Sequence, residues 1–271
     1  MDNEKQKILI GILYSGEREY ANCLSAIRRQ DGVVTEVFKI ENKKNKEAHD
    51  ELYSTFNNFS HHFDICAKID ADMVLKTENS LSTVAELFKS NPTLDHLMID
   101  VADYLSDIPI PGQNFYSNRV KWRGNTDQLI TDYHGTYQGT SRRIMSDPIA
   151  RHMPNPSGFQ AFSFGVHRAL KIVQPTNRHL DFGRALLHWT VISRIYECYQ
   201  RLGDVRRLFA LAGVQEVMDS IAPNTLLDYR STKIQQIFDS RWRHMDSAIK
   251  NQLLEEWKSP LKITSKLFYR R

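Results

Sequence analysis

The chain has 271 residues, of which 41% are hydrophobic and 25% are charged. These proportions exclude a largely disordered chain and supply enough apolar side chains for a sizeable core. The formal net charge of +4 is smaller than a dedicated nucleic-acid-binding domain usually carries, so no nucleic-acid partner is expected. An anionic small molecule or an acidic membrane surface would suit this mild positive charge better.

Cysteine usage and the N-terminal segment indicate the cellular compartment. The three cysteines, Cys23, Cys66 and Cys198, are far apart and form no C-x-x-C pair. This pattern predicts neither a disulfide framework nor a zinc site. The N-terminus has an early acidic residue and only a short apolar stretch, and no run of 18 apolar residues occurs. We therefore expect a cytoplasmic protein.

The first hundred residues alternate between predicted strands and predicted helices. Short apolar or β-branched runs predict strands at 7–14, 33–40, 63–69 and 94–102. Apolar residues at helical spacing predict helices at 18–30, 46–59 and 81–90. This order predicts an α/β fold with a mostly parallel sheet and helices on both of its faces.

Regular patterning fades between residues 103 and 158. Five of the nine prolines lie between positions 109 and 156, and the segment is rich in arginine and lysine. Two interpretations stay open here, a solvated loop and a lid that covers a substrate. A strand is then predicted at 159–166, followed by helices at 182–202, at 204–222 and around 232–257.

Polar residues follow three of the predicted strands at the point where each strand ends. They are Tyr14-Ser15-Gly16, Glu41-Asn42 and Asp70-Ala71-Asp72. Ligands of parallel α/β sheets bind outside the carboxyl ends of the strands, so these clusters are expected to share one rim. The alternation of an extended segment allows Asp70 and Asp72 to face the same site. Two carboxylates suit Mn²⁺ or Mg²⁺, which bind through one or two such groups together with substrate phosphates.

Several segments together resemble a known family. They read KILIGILYSGE, ANCLSAIRRQ, VFKIEN, NKEAHDEL and AKIDADMVL, followed by GFQAFSFGVHRAL and HLDFGRALLHW. The pattern resembles the GT-A-fold glycosyltransferases of the large family-2 type, over roughly residues 7 to 202. The D-x-D strand, which carries Asp70 and Asp72, is the most specific part of the resemblance.

The resemblance implies a role for each residue of the rim. Ser15 and Glu17 would form the base and ribose pocket of a nucleotide-sugar donor, and Glu41 would contact the base. Asp70 would face the ribose or the metal, and Asp72 would bind Mn²⁺ or Mg²⁺ under the donor diphosphate. Lys68 lies two residues before Asp70 on the same strand face and would touch the nucleotide. A lysine that only extends from a strand end to solvent is the alternative for Lys68.

The acceptor side of the resemblance rests on Asp181. It aligns with the acidic residue that serves as the base in inverting members of the family, and it is also suited to cap the helix at 182–202. His179 is the histidine nearest to it and the one favoured as an additional metal ligand. The implied organisation is a catalytic domain over 1–202, with a nucleotide-binding half at 1–102 and an acceptor-side half at 103–202. Residues 203–271 would form a helical C-terminal extension.

The expected function is metal-dependent transfer of a sugar from a nucleotide-diphosphate donor to a polysaccharide, lipopolysaccharide or glycolipid acceptor, with inversion. The basic tail from Lys258, which includes Leu261, Ile263, Leu267 and Phe268, could contact the inner face of a membrane near a lipid-linked acceptor. A frayed terminus is the alternative for the tail. Two other functions stay open, a nucleotidyltransferase on a related sheet and a non-catalytic module that binds a nucleotide or a glycan.

Overall fold

The strands and helices follow the predicted order over the first hundred residues. The structure is a computed structural model, and it describes residues 4–124, 135–174, 182–226, 231–258, 263 and 265–267. The strands are β1 Gln6–Tyr14, β2 Val33–Glu41, β3 Ile65–Asp70, β4 Met73–Leu75, β5 Leu94–Asp103, β6 Pro109–Ser117, β7 Thr140–Ile144 and β8 Ala150–His152. The helices are α1 Tyr20–Arg28, α2 Asn45–Phe59, α3 Ser80–Ser90, α4 Gly158–Val173, α5 Phe182–Leu202, α6 Val205–Asp219, α7 Thr232–Ile237 and α8 Ser247–Trp257.

Strands β1 and β3 are apolar because both of their faces are covered. Ile8, Ile10 and Ile12 are fully buried on one face of β1, and Leu9 is buried on the other. Leu9 packs with Cys66 of β3 and with Leu52 and Phe56 of α2 in one core cluster. An added Cβ at Gly11 would lie 2.1 Å from the end of the Leu52 side chain, so a larger residue at this strand position would have to displace that side chain of α2. The α/β class with helices flanking the sheet is confirmed.

The sheet is more mixed than the sequence predicts. Its order is β2-β1-β3-β6-β5-β8-β4, and β7 pairs with β5 beside β8. Strand β1 is parallel to both β2 and β3, as expected. Strand β6, however, lies between β3 and β5 and is antiparallel to both. Both interpretations of 103–158, the solvated loop and the lid, are therefore wrong for β6, β7 and β8, which are strands of the sheet.

Part of the basic character of this segment serves the sheet rather than a substrate. Arg119 donates to the buried carboxylate of Asp95 in β5. Arg143 of β7 forms a bidentate ion pair with Asp100, in which two of its nitrogens donate to the two carboxylate oxygens. Asp95 also accepts hydrogen bonds from the backbone N–H groups of Gln138 and Gly139. These contacts attach the stretches on both sides of residues 125–134 to β5.

The contacts divide the chain into two compact units. The first contains the whole sheet with α1, α2 and α3, over residues 4–104 and 109–155 as far as they are described. The second contains residues 105–108 and the described residues from 156 onward, including α4 to α8. The change from one unit to the other thus falls at 155–156. The predicted functional division at residues 202 and 203 stays a prediction.

The second unit is helical, and one predicted strand was wrong. Residues 159–166 belong to α4, whose first turn is closed by a capping box between Ser157 and Gln160. Helices α4 and α6 approach closely, since a Cβ at Gly165 would lie 1.8 Å from the carbonyl oxygen of Ala210. The helix predicted around 232–257 is interrupted by a π-helical turn at Phe238–Trp242. The side chain of Asp246 caps α8 by accepting a hydrogen bond from the N–H of Ile249.

Candidate functional site

Three neighbouring strands of the first unit end at one rim, as the sequence predicts. The parallel register pairs Tyr14 of β1 with Glu41 of β2 and Leu13 of β1 with Asp70 of β3. The carboxylates of Glu41 and Asp70 therefore flank the end of β1 from its two sides. After Asp70 the chain makes a turn through Ala71 and Asp72 before β4 begins. The N–H of Ala71 donates to the carbonyl oxygen of Leu13, which fixes this turn against β1.

Lys68 and Asp70 form an ion pair on one face of β3. The Nζ atom of Lys68 lies 3.0 Å from Oδ1 of Asp70 and 3.2 Å from Oδ2. The lysine side chain is only 10% exposed, whereas that of Asp70 is 34% exposed. The two side chains therefore share one place on the rim, and the lysine does not extend into solvent. A contact of Lys68 with a nucleotide stays a prediction.

Asp72 is held by a pair of side chains that the sequence did not single out. Its Oδ2 atom lies 3.3 Å from Nε2 of His152, and Nδ1 of the same ring lies 2.7 Å from Oδ1 of Asp103. Burial alone would lower the pKa of His152, but the charges of Asp72 and Asp103 and the hydrogen bonds to them raise it to about 10. The imidazolium ring thus bridges the two carboxylates. The other oxygen of Asp72, Oδ1, is buried and has no hydrogen-bond partner among the described residues.

Glu17 adds a further carboxyl group to the rim. Its Oε2 atom accepts a hydrogen bond of 2.6 Å from the N–H of Ser15, which folds the loop after β1 onto itself. The pKa of Glu17 is raised from 4.5 to about 7, chiefly by burial and then by the negative charges of Asp72 and Asp70. The same two charges, after burial, raise the pKa of the Cys23 thiol to about 12. Glu17, Asp70 and Asp72 therefore form one cluster of crowded negative charge, called the acidic rim below.

The loop after β1 is also tied to the segment that follows β8. Glu19 is buried, and its Oε1 atom accepts a hydrogen bond of 3.1 Å from the N–H of Asn155. The N–H of Met153 donates to the carbonyl oxygen of Asp72 at 2.8 Å. One short segment, residues 152–155, therefore contacts both the D-x-D turn and the β1–α1 loop.

Glu41 lies somewhat apart from the acidic rim, beside a pair of tyrosines. It forms an ion pair of 2.7 Å with Lys39, and the Nζ atom of Lys39 lies 5.4 Å from the ring centroids of both Tyr14 and Tyr20. Asn42 follows with a φ of 61°, a left-handed conformation that asparagine tolerates well. A base-contacting role of Glu41 stays a prediction. The tyrosine pair is a feature that the strand-end pattern alone did not reveal.

The acidic rim has features that suit a divalent cation. Among the described residues, no group of three or more histidine, cysteine or acidic side chains is arranged to hold a metal ion. Mg²⁺ and Mn²⁺ do not require such a cage when substrate phosphates supply the remaining ligands. The buried, unpartnered Oδ1 atom of Asp72 and the mutual repulsion around Glu17 fit a cation at Asp72 and Asp70.

The acceptor-side predictions lie outside the described residues. Asp181 and His179 fall in the stretch 175–181, so their roles stay predictions. Of the apolar tail residues, Leu261 and Phe268 are likewise outside, while Ile263 and Leu267 are buried within the protein. Buried side chains do not face a bilayer, so these two residues do not support membrane contact. In the described part of the chain, no helix combines the length and apolar character that crossing a bilayer requires.

Comparisons with known proteins give little further information. No family model and no curated protein matches the chain. Among solved structures, the mannosyltransferase PcManGT from Pyrobaculum calidifontis, in complex with GDP-Man and Mn²⁺, is similar at 12% identity and a TM-score of 0.39. That similarity covers 96% of this chain and 88% of the other. A197 from STIV is similar at 12% identity and a TM-score of 0.34, over 52% of this chain and 82% of the other. At these TM-scores neither similarity carries an argument about function.

Proposed function

We propose that the protein is a glycosyltransferase that takes its sugar from a nucleotide-diphosphate donor with the help of Mn²⁺ or Mg²⁺. One observation carries the proposal: within the described part of the chain, Asp72 keeps a buried carboxylate oxygen without a hydrogen-bond partner, inside the acidic rim at the carboxyl ends of parallel strands. A buried polar atom without a partner is costly in a folded protein, and a bound ligand removes this cost. The family resemblance of the D-x-D strand supports the same conclusion.

The chain's own residues have distinct roles at this site. Asp72 and Asp70 hold the cation, and Lys68 neutralises part of the charge of Asp70. Ser15, Glu17 and Glu41 surround the base and ribose of the donor. The cation, when bound, stabilises the negative charge that develops on the leaving diphosphate.

The acceptor would be a glycan or a lipid-linked sugar, and its hydroxyl group must lose a proton during transfer. A carboxylate within hydrogen-bond reach performs this step, and we assign it to Asp181 on the basis of the family resemblance. A single base without a protein nucleophile inverts the configuration of the transferred sugar.

The geometry of the β1–α1 loop disfavours the nucleotidyltransferase alternative. Such an enzyme needs free backbone N–H groups that cradle the phosphates. Here the N–H of Ser15 donates to Glu17, and the loop adds the carboxylates of Glu17 and Glu19 to its surroundings. A non-catalytic binding module keeps the same sheet and differs only in its lack of turnover.

The proposal is tested by a thermal-shift screen with UDP, GDP, CDP and TDP, each with and without Mn²⁺, followed by assays of donor hydrolysis and sugar transfer. We expect stabilisation by one nucleotide that requires Mn²⁺, and a loss of activity of about 100-fold or more in Asp72→Asn. Asp147→Asn is the matched control, because Asp147 is exposed and has a φ of 52° that asparagine adopts readily. Metal-dependent transfer that survives in Asp72→Asn would contradict the proposal. Nucleotide binding without turnover would favour the binding module.

A further inference from the structure

We propose that His152, oriented by Asp103, is a positioning residue that fixes the carboxylate of Asp72 so that its Oδ1 atom stays available to the divalent cation. The inference rests on the proposed function, because it assigns a role toward the cation of that site. His152 does not belong to the D-x-D motif and was only one of several scattered histidines in the sequence.

The first argument is the use of both ring nitrogens. Nε2 contacts Oδ2 of Asp72 at 3.3 Å, and Nδ1 contacts Oδ1 of Asp103 at 2.7 Å. Each ring nitrogen faces a carboxylate oxygen of the protein, so neither nitrogen is directed at a place that a cation could occupy. The ring therefore orients a ligand of the cation without being one. Outer groups that orient metal ligands in this way commonly change metal affinity by about 10- to 100-fold.

The second argument is that Asp103 limits the freedom of the ring. The side chain of Asp103 is fully buried, and that of His152 is only 9% exposed. The N–H of Tyr104, the residue after Asp103, donates to the carbonyl oxygen of His152 at 3.2 Å. The histidine is thus attached to the end of β5 through its side chain and through its backbone. A ring with two fixed partners can hold Asp72 in only one orientation.

The third argument is that the backbone around His152 also contacts the D-x-D turn. Met73 pairs with His152 in the antiparallel contact of β4 and β8, and the N–H of Met153 donates to the carbonyl oxygen of Asp72. Met153 has a φ of 48°, which is uncommon for a residue with a side chain and costs free energy. Such a conformation is kept where the surrounding contacts require it. Both the backbone and one carboxylate oxygen of Asp72 are therefore fixed, and only Oδ1 remains for a ligand.

The test measures Mn²⁺ affinity of the full chain by electron paramagnetic resonance, first alone and then with the nucleoside diphosphate that stabilises the protein, in both cases without acceptor. The variants are His152→Ala, His152→Gln and Asp103→Asn. We expect His152→Ala to weaken Mn²⁺ binding by about 10- to 100-fold. His152→Gln should recover part of this loss, because its amide can donate to Oδ2 of Asp72. Asp103→Asn should weaken binding to a smaller extent, because the ring keeps a partner that lacks charge.

The matched control is His96→Ala. His96 is also a buried histidine of the first unit, and its ring nitrogens contact Ser141 Oγ at 2.9 Å and Asn114 Oδ1 at 3.0 Å. Its loss should lower the melting temperature, as the loss of His152 does, without changing Mn²⁺ affinity. A merely structural role of His152 would make the two alanine variants alike. If His152→Ala does not fold, the Mn²⁺ affinities of His152→Gln and Asp103→Asn are compared with that of the wild type instead.

The outcomes separate this inference from the proposed function. Wild-type protein that binds no Mn²⁺, or Asp72→Asn that binds it as wild type does, overturns the metal site and the positioning role together. Mn²⁺ binding that is lost in Asp72→Asn but unchanged in His152→Ala, His152→Gln and Asp103→Asn overturns the positioning role alone. Coupling of bound Mn²⁺ to an imidazole nitrogen that disappears in His152→Ala also overturns it, because His152 would then be a ligand.

Discussion

At the scale of single residues, the raised pKa of Glu17 shows how burial and neighbouring negative charges act within the acidic rim. Its pKa is raised from 4.5 to about 7 by burial and by the charges of Asp72 and Asp70, while the hydrogen bond from the N–H of Ser15 acts in the opposite direction. Between these two pH values the folded protein keeps a proton that the unfolded chain loses. The free energy of unfolding therefore falls as the pH rises through this window, by up to about 3 kcal/mol above pH 7.

Glu17→Gln should remove this pH dependence. The amide oxygen of glutamine can still accept from Ser15, and the side chain carries no charge at any pH. We expect equal stability of the variant and the wild type near pH 4.5, and a variant more stable by up to about 3 kcal/mol near pH 8. Urea unfolding at both pH values, with divalent cations removed, measures the difference. A difference that is the same at both pH values would show that the pKa of Glu17 is not raised in the folded protein.

The sequence predicts the strand-end residues of the rim but not the side chains, His152 and Asp103, that hold Asp72 in place. Asp70, Glu41 and Ser15 follow apolar strands, and their positions come directly from the strand ends. His152, by contrast, contacts Asp72 from a position 80 residues farther along the chain, after β6 has entered the sheet. Asp103, which contacts the other side of the His152 ring, lies at the end of β5. No spacing rule connects residues that meet only through such a sheet order. Contacts of this kind follow from the three-dimensional structure and cannot be predicted from local pattern.

At the scale of elements, α4 shows why an apolar run is ambiguous. Eleven of its sixteen residues are buried, so its sequence is apolar on most of its circumference. A buried helix and a buried strand then give the same apolar signal, and periodicity does not distinguish them. Similarly, β6 was not predicted, because Pro109 and Pro111 made its sequence look irregular. Pro111 stands opposite Asp100, beside the irregularity at Ile99 and Asp100 where the register shifts, a place in a sheet that accepts proline.

Gly213→Ala should destabilise the helical unit although alanine is the better helix former. The substitution gains about 1 kcal/mol of helix propensity. The new Cβ, however, would lie 2.1 Å from the carbonyl oxygen of Phe162 and 2.9 Å from the backbone nitrogen of Val166, both in α4. Backbone atoms of a packed helix cannot move aside locally, so α4 and α6 must separate. We expect a net loss of about 2 kcal/mol or more.

Thermal unfolding checks this prediction, with Gly124→Ala as the control. A Cβ at Gly124 meets no atom of the described residues within 4 Å, so this variant should unfold as the wild type does. Equal melting temperatures for the two variants would mean that α4 and α6 do not approach as closely as described.

At the scale of the whole molecule, the residues of the proposed donor site all fall in one of the two units. Every described residue proposed to bind the donor or the cation belongs to the first unit, and so do His152 and Asp103. The parallel part of the sheet, β1 to β3, and the residues at its strand ends could be predicted because they follow from local patterning. The donor's sugar and the acceptor could not, because they depend on side chains that distant segments contribute.

Hydrogen exchange with Mn²⁺ and the stabilising nucleoside diphosphate should therefore locate the ligand in the first unit. We expect slower exchange in residues 13–19, 68–74 and 150–155, because the ligand restricts the β1–α1 loop, the D-x-D turn and the segment after β8, which are joined by hydrogen bonds. The protection should require Mn²⁺ and should vanish in Asp72→Asn, whereas Asp147→Asn should keep it. Protection confined to α4–α8 would place the nucleotide elsewhere. Since backbone contacts connect all three segments, a ligand at Asp72 that slows exchange in only one of them would contradict the described connection between the D-x-D turn and residues 152–155.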